Sequence, residues 1–442
     1  METNLLLNDD LSLENLLDNW QTLTPNKRQE VFLILGRIDQ EELCINLSSD
    51  YQAELFTELP MAEKRSWIRL LAPDDIADLV QNLDQDSQAE SLKLLDYATL
   101  VEVKALMAYA EDEAGGLMNS RFARLRPEMT VEEAIRYLRA QSKSQIETIY
   151  YAYVLDRSQI LLGVVSLREL FLAKTQSLIS EIMNTDLVTV LQDEDQESIS
   201  KTFSNHNFLA IPVVDEQNVM KGIITVDDVV EVIEEEATED IQKIGGMEAL
   251  GEPYLDISLP SMIKKRAGWL MALFIGEMFT ATAMSHYEHD IAKAVVLALF
   301  IPLVISSGGN SGSQATTLII RAMALGEVRL KDWWRVLSRE LISGLSLGVI
   351  LGVIGLLRIL LWPGKETLYG EHYMLVALSV SFSLVGIVLW GTLAGSMLPF
   401  LLRRVGLDPA TSSAPFVATL VDVTGLVIYF TVASYFLKGF LL

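Results

Sequence analysis

The chain has 442 residues, half of them hydrophobic, and a formal charge of −25; that length suits two or three domains. The charge is uneven: residues 261–442 hold 14 Lys+Arg against 10 Asp+Glu, a balance of +4, which leaves residues 1–260 with 20 basic and 49 acidic residues, a balance of −29. Such an acidic block argues against a nucleic-acid partner, whose phosphates it would repel, and suits solubility or the collection of cations.

One cysteine, Cys44, excludes a disulfide framework or thiolate zinc site within the chain. The four histidines, His206, His286, His289 and His372, do not form a metal-ligand spacing on one predicted helix. His286 and His289, beside Glu288 and Asp290, read as a surface loop. The N-terminus, METNLLLNDDLSLENLL, lacks the basic-then-apolar pattern of a signal peptide and reads as the start of a soluble acidic helix. The first half is therefore expected in the cytoplasm.

Residues 9–110 read as a string of short amphipathic helices punctuated by TPN at 24–26, LP at 59–60 and APDD at 72–75. Asp74 and Asp75 follow Pro73 as an acidic helix start. Such a string suggests an α-superhelix of stacked pairs. Residues 118–235 contain a duplication. The first copy runs MNSRFARL, TVEEAIRYLRAQ, YAYVLD, GVVSLREL; the second runs MNTDLVTV, DQESISKTFSNH, AIPVVD, GIITVDDV. Each reads as strand, helix, strand, turn, strand, helix, and repeated units usually pack on each other. Residues 227–240, DDVVEVIEEEATED, crowd eight acids into a few helical turns, which like-charge repulsion destabilises unless cations or solvent screen them.

From Lys264 the composition changes. Five apolar runs, 267–284, 291–320, 336–362, 374–402 and 413–437, are each long enough to cross a bilayer as a helix. The second is expected to be interrupted by Pro302 and the Gly-rich SSGGNSGSQ at 306–314. Lys264, Lys265 and Arg266 precede the first run, Arg321 to Arg339 surround the second connection, and Arg403 and Arg404 follow the fourth. That bias predicts a multi-pass protein of the cell (plasma or inner) membrane, N-terminus inside and C-terminus outside.

Asp422 sits in the middle of the fifth run. An intramembrane carboxylate is costly and marks a functional site by default; the competing reading ties it locally to Thr424 or Thr419. Glu277 in the first run is the comparable case and ranks below it, a second functional acid or equally a structural partner for a hydroxyl or an arginine. Irregular backbone at 306–314 would have to be buried or line water, and its carbonyls, with the amide oxygens of Asn310 and Gln314, would be hard oxygen ligands. Close helix packing by the glycines is the alternative. Oxygen donors favour Mg²⁺, Ca²⁺ or Mn²⁺.

The paired segments resemble tandem CBS domains. With EDEAGGLM (111–118) before them, EEEATEDIQKIGG (234–246) after them, and above all ISSGGNSGSQATTLIIRA (305–322) and PFVATLVDVTGLVIYF (415–430), nearly the whole chain resembles the MgtE family of magnesium channels and transporters. The resemblance implies a mixed fold: an acidic α-helical superhelix N domain (1–117), α/β tandem CBS domains (118–240), a connecting plug helix (241–265) and a five-helix transmembrane bundle (266–442). It implies a homodimer in a lipid membrane, Mg²⁺ uptake and no enzymatic activity. By motif position Asp422 lines the selectivity site, with Ala418 and Gly308, Gly309 and Asn310 beside it. Asp228, Glu231, Glu236, Glu239 and Asp240, with Asp74, Asp75 and Asp78 of the N domain, would form an intracellular Mg²⁺ sensor that closes the pore. Thr225, in the pattern Thr225 to Asp228, fits the ribose site of nucleotide-binding CBS domains, making ATP a candidate regulatory ligand; Ser166 to Glu169 matches less well. Many relatives carry asparagine before the proline of the last motif, where this chain has Ala414, so looser ion selectivity is expected. An ion-coupled divalent cation carrier (Mg²⁺, Mn²⁺ or Co²⁺) and a membrane-anchored CBS sensor are the alternatives.

Overall fold

A computed structural model describes residues 13–141, 148–251 and 253–438; positions 1–12, the expected start of the first helix, lie outside the described residues. The chain divides into two compact units, 1–236 and 237–442.

The first unit opens with eight short helices: α1 (Leu13–Asn19), α2 (Pro25–Ile34), α3 (Arg37–Asn46), α4 (Ser49–Glu58), α5 (Met61–Trp67), α6 (Pro73–Gln81), α7 (Gln85–Leu92) and α8 (Tyr97–Leu106). Local chemistry sets their ends. Asp84 and Asp96 cap α7 and α8 by accepting from the amides two and three residues on, and Pro73 opens α6 with Asp74 and Asp75 in its first turn. The first core gathers Trp20, Phe32, Leu43 and Trp67 around a buried arginine. Arg28 donates to Glu54 at 2.8 Å and to the carbonyls of Trp20 and Gln21, so its charge is paired as burial demands.

A short helix, α9 (Ala114–Leu117), leads into the duplication. The first copy comprises β1 (Arg124–Leu125), α10 (Val131–Gln141), β2 (Tyr151–Leu155), β3 (Leu161–Ser166) and α11 (Leu167–Leu172). The second adds α12 (Ile179–Ile182), β4 (Val190–Leu191), α13 (Gln196–His206), β5 (Ala210–Val214) and β6 (Met220–Thr225). Both sheets have the same order and sense: β1 parallel to β2 with β3 antiparallel, and β4 parallel to β5 with β6 antiparallel. The aspartate that ends each middle strand makes the turn. Asp156 accepts from the amides of Ser158 and Ile160, Asp215 from those of Gln217 and Val219, and each turn carries one left-handed residue, Gln159 or Asn218. Phe122, Tyr153, Leu161, Val214 and Ile223 join the two copies in one core. Ile76, Val80 and Val103 of the N-terminal helices share another core with Ile199, Phe203, Ile211 and Ile224 of the second copy. The N-terminal helices are thereby seated on the second copy.

Helix α14 (Val226–Ile244) leaves the second copy and carries the chain past the boundary between the units. The connecting helix expected over 241–265 is divided: its start is the end of α14, residues 245–251 and 253–258 are non-helical, and its end is the first turns of α15 (Leu259–His286). Gly245, Gly246 (left-handed), Gly251 and Pro253 account for the break. The surface loop expected around His289 is instead a short helix, α16 (Glu288–Lys293), followed by α17 (Val295–Ala298).

The remaining helices are α18 (Ile301–Ala324), α19 (Trp333–Leu360), α20 (Lys365–Tyr369), α21 (Tyr373–Arg404) and α22 (Ala414–Leu437). Five stretches, Leu259–His286, Val295–Ala324, Leu330–Leu360, Tyr373–Arg404 and Ala414–Leu437, are long and apolar enough to cross a membrane. The interruption expected at 306–314 is absent: α18 is continuous through the Gly-rich stretch, and Pro302 lies in its first turn. The glycines serve contact instead. A Cβ on Gly391 or Gly395 of α21 would collide with the carbonyl of Gly308 or Gly312 of α18. Ser311 Oγ meets Thr392 Oγ1 at 2.7 Å and Thr316 Oγ1 donates to the Gly395 carbonyl at 2.8 Å. On α19, Gly344, Gly348 and Gly352 press on Thr392, Val385 and Ser381 of α21. These are small-residue seams, which let membrane helices approach closely.

The seams predict a sharp contrast. Gly391→Val should destabilise the detergent-solubilised protein by about 3 kcal/mol or more, the upper range for forced overpacking. Gly268→Ala, where an added Cβ comes no nearer than 3.7 Å to Glu248, should not. Thermal unfolding of the two variants checks this.

Candidate functional site: an intramembrane carboxylate and an acidic cluster

Asp422 lies half-buried on α22, where α18 and α15 converge on it. A Cβ at Gly309 of α18 would stand 3.5 Å from the Ala418 Cα and 3.7 Å from Asp422 Oδ1, so Gly309, Ala418 and Asp422 share one face of the α18–α22 contact. Gly308, one residue back, turns toward Ile387 and Val421. The local partner considered for Asp422 is otherwise engaged: Thr424 Oγ1 donates to the Leu420 carbonyl and accepts from Trp390 Nε1. Thr419 presents its methyl to Gly276 of α15. The Asp422 carboxyl meets that of Glu277, within hydrogen-bonding reach.

Asn310 is exposed and reaches only to Ser306 Oγ, at 3.5 Å. Ser306, Asn310, Gln314 and Thr317 form an exposed polar stripe along α18, opposite the glycine seam. Such a stripe is unsuited to hydrocarbon. The backbone carbonyls of 306–314 are those of a regular helix, so the free oxygen donors this stretch offers are side chains. Ala414, at the start of α22, accepts at its carbonyl from Ser313 Oγ at 3.1 Å, and Ser413 caps the helix while accepting from Trp269 Nε1.

The sequence-predicted sensor residues separate into two groups. Asp75, Asp78, Asp228 and Glu231 come together where α6 faces the start of α14. Asp78 is pushed up to about 8 by burial and by the neighbouring Asp75, Glu111, Glu231 and Asp228. Asp228 is pushed up to about 7 by burial, against the hydrogen bonds from Thr225, with Asp227 and Asp75 adding to the rise. Burial raises Asp75, with Asp227 adding to it. Glu231 and Glu235 are raised by desolvation and by Asp50 and other acids nearby. Among the described residues no lysine or arginine pairs with Asp75, Asp78, Asp228 or Glu231, and no three carboxylates lie close enough to grip one bare ion.

The other predicted residues do different work. Buried Asp74 accepts from Asn119 Nδ2 at 3.0 Å. Glu236 accepts from Gln196 Nε2 at 2.7 Å. Glu239 pairs with Lys243, which also bonds Asp408 at 2.8 Å. Asp240 is half-buried at the end of α14. Sequence reasoning left Asp50 and Glu111 out of the cluster. Their signals were an acid in the first turn of α4 and the acidic run before the duplication.

Thr225, read as a nucleotide contact, donates from both its amide and its Oγ1, the latter at 2.6 Å, to the Asp228 carboxylate at the start of α14; Ser166 and Glu169 make the full reciprocal box on α11. The cleft between the copies lies elsewhere. It is an open cleft lined by Tyr151, Tyr153, Asn184, Asp186, Phe208 and Pro212 among others. The buried Tyr153 hydroxyl has no hydrogen-bond partner among the described residues, which fits a ligand supplying one. Aromatic walls with a few polar groups suit an adenine nucleotide.

A helical bundle holding a carboxylate at membrane depth, behind paired CBS domains and an unneutralised acidic cluster, defines a multi-pass transporter of divalent cations. Comparison with known proteins agrees. Residues 301–432 match the MgtE divalent cation transporter family, residues 11–112 the MgtE intracellular N domain, and residues 114–175 and 179–235 the CBS domain. The chain is 40% identical to the magnesium transporter MgtE of Thermus thermophilus over 98% of its own length and 94% of that protein's. It is 33% identical to that of Enterococcus faecalis over 77% and 72%. A crystal structure of the cytosolic domain of the Mg²⁺ channel MgtE in complex with ATP is 39% identical, covering 50% of this chain and 91% of that one, with a TM-score of 0.47. The chain belongs to the MgtE family of magnesium transporters, which are not enzymes.

The acidic cluster predicts a pH effect of definite sign. Asp78 and Asp228 are raised from 3.8 in the unfolded reference, so their contribution to stability is complete below that value and is lost as pH rises through about 7 to 8. In EDTA, the unfolding midpoint of the first unit should fall by several degrees between about pH 6 and about pH 9. Added Mg²⁺ should remove the fall. Calorimetry of the full-length protein with and without Mg²⁺ tests both parts.

Proposed function

We propose that this protein is a homodimeric Mg²⁺ channel that mediates uptake across the cytoplasmic membrane, with its N-terminus inside and its C-terminus outside, and that intracellular Mg²⁺ closes it. The observation that carries the reading is Asp422, set half-buried beside Gly309 and Ala418 and flanked by the exposed polar stripe of α18. A second copy across a two-fold axis would cover that stripe and bring two Asp422 carboxylates to one water-filled path. Mg²⁺ sheds water reluctantly, so the carboxylates and Asn310 act on a hydrated ion through its water shell. With Ala414 before Pro415, no amide side chain is offered at that position, and Mn²⁺ or Co²⁺ is admitted more readily than in relatives with asparagine there.

The acidic cluster is the sensor. Asp75, Asp78 and Asp228 are half-buried and Glu231 beside them is exposed; without a basic partner among the described residues they repel one another, and a hydrated divalent cation among them relieves both the repulsion and the desolvation cost. Mg²⁺ thus favours the arrangement in which α6 lies against α14, and its loss favours separation, a shift set by differential affinity. Helix α14 passes the change on. Its last turn is tied by Lys243 to Asp408, just before α22, and the segment after it packs by Gly246 on Trp269 and Pro415. Glu236, Glu239 and Asp240 belong to this transmitting stretch. ATP binds the cleft around Tyr153 and tunes the sensor.

Two measurements in proteoliposomes test the proposal. Asp422→Asn should cut Mg²⁺ flux on the order of tenfold or more, equivalent to about 1.4 kcal/mol, with dimer assembly unchanged. Wild-type flux should follow the Mg²⁺ electrochemical gradient alone; dependence on a proton or Na⁺ gradient would make it a carrier. Separately, Asp78→Asn combined with Asp228→Asn should leave the pore conducting at millimolar internal Mg²⁺, and unchanged inhibition would remove the sensor from this cluster.

A further inference from the structure

Helix α15 turns only a narrow stripe toward the rest of the bundle. Trp269, Leu273, Gly276, Glu277, Thr280 and Ala283 are partly covered, while Leu270, Met271, Phe274, Ile275, Met278 and Phe279 are exposed. The stripe recurs every three to four residues and meets α22. At its centre Gly276 lets the backbones close up: a Cβ there would stand 2.7 Å from Thr419 Cγ2. The next residue is Glu277, whose carboxyl lies within hydrogen-bonding reach of Asp422. One turn further along the same stripe, the Thr280 hydroxyl oxygen is buried and has no partner among the described residues.

A carboxylate on a membrane helix has two inexpensive places to go. It can pair with a lysine or arginine, or it can reach water. Among the described residues Glu277 makes no ion pair with a basic side chain. Instead it faces the Asp422 carboxyl of a different helix, across a contact that Gly276 makes close. Two acids set against each other in this way are mutually unfavourable unless a cation and its waters stand with them.

We infer that Glu277 is a second specificity-determining carboxylate of the cation path, acting with Asp422 on the water shell of the permeating divalent ion. The inference rests on the reading of Asp422 as the path residue. Each protomer then offers two carboxylates from two helices rather than one, and a dimer offers four. Doubled charge at one depth favours a divalent over a monovalent ion, because the attraction scales with the ion's charge while the cost of holding the site does not. The Thr280 hydroxyl supplies a neutral contact to the same waters one turn away.

The test is Mg²⁺ flux against Mg²⁺ concentration in proteoliposomes of the full-length protein, with K⁺ leakage measured in parallel, for wild type, Glu277→Gln, Glu277→Asp and Asp422→Asn. Glutamine keeps the shape and can hydrogen-bond Asp422 but removes the charge. Glu277→Gln should raise the half-saturating Mg²⁺ concentration roughly tenfold, the scale expected for one carboxylate acting on a divalent ion through water. Maximal flux per assembled dimer should stay within about twofold and K⁺ leakage should rise; Glu277→Asp should saturate close to wild type. Half-saturation unchanged in Glu277→Gln, with only a lower unfolding midpoint, would make the contact a structural clasp and overturn the inference. Should the glutamine variant fail to assemble, Glu277→Asp decides: half-saturation raised less than about threefold with assembly intact supports a charge role, whereas assembly lost in that variant too overturns it. Wild-type flux in Asp422→Asn overturns the path itself; flux lost in Asp422→Asn with wild-type saturation in Glu277→Gln overturns only the role of Glu277.

Discussion

The transmembrane unit depends on one contact, the approach of α18 to α21 backbone to backbone. In a lipid solvent no hydrophobic force drives two apolar helices together; close packing and satisfied polar groups must do so. Gly308 and Gly312 lie one turn apart on α18, and Gly391 and Gly395 one turn apart on α21, each pair removing the side chains that would hold the carbonyls away. The hydroxyls of Ser311, Thr316 and Thr392 then pair inside the seam. Once the glycine face of α18 is committed to α21, helical geometry turns Asn310 and Gln314 to the opposite side and sets Gly309 beside α22. The placement of Asp422 next to Gly309 is a consequence of that seam.

The same electrostatic problem occurs in both units and is left unsolved by the protein in both. Elsewhere the chain pairs its buried charge with care, as at Arg28 and Glu54 or Arg121 and Glu102. At Asp75, Asp78, Asp228 and Glu231, and again at Asp422 with Glu277, carboxylates crowd without a basic partner. Desolvation and repulsion then act in the same direction, so both places gain most from a small, strongly hydrated cation. An arginine at either would relieve the cost permanently and abolish the dependence on the ion. In the proposed function, this incomplete compensation is what makes the free energy of each place depend on Mg²⁺.

Much of this was legible in the sequence, for physical reasons that differ from place to place. The five spans and the duplicated strand–helix units rest on periodicity and composition over many residues, where tertiary context rarely overrides the signal. The turn aspartates Asp156 and Asp215 were visible because one side chain satisfies two amides locally. The Gly-rich stretch misled: glycine weakens an isolated helix, but in a packed bundle close approach outweighs that cost, and α18 runs on unbroken. Asp74 and Asp75 are neighbours that helical rotation sends apart, one to Asn119 and the core, the other to the acidic cluster; a one-residue registration error exchanges a structural residue for a candidate ligand. Glu277 stays ambiguous in the sequence because no spacing rule relates residue 277 to residue 422. Only the packing of α15 on α22 brings them together.

Helix α14 carries the final step of the argument. Thr225 is bonded to Asp228 at its start, Glu231 and Glu235 stand in its early turns, and Lys243 closes its end on Asp408. From Asp228 to Lys243 an α-helix rises roughly 22 Å without a proline or glycine to absorb a displacement. In the proposed gate, a cation held at the start of such an element need not be felt at a distance through the solvent, whose ions screen charge within about 8 Å. In that proposal a small change in how α14 is seated is carried mechanically to the chain that leads into α22. The glycines that break the helix come only after Lys243, at Gly245 and Gly246, where the last turn is already fastened to the segment preceding the pore helix. A break placed before Lys243 would leave the proposed sensor with nothing rigid to report its state.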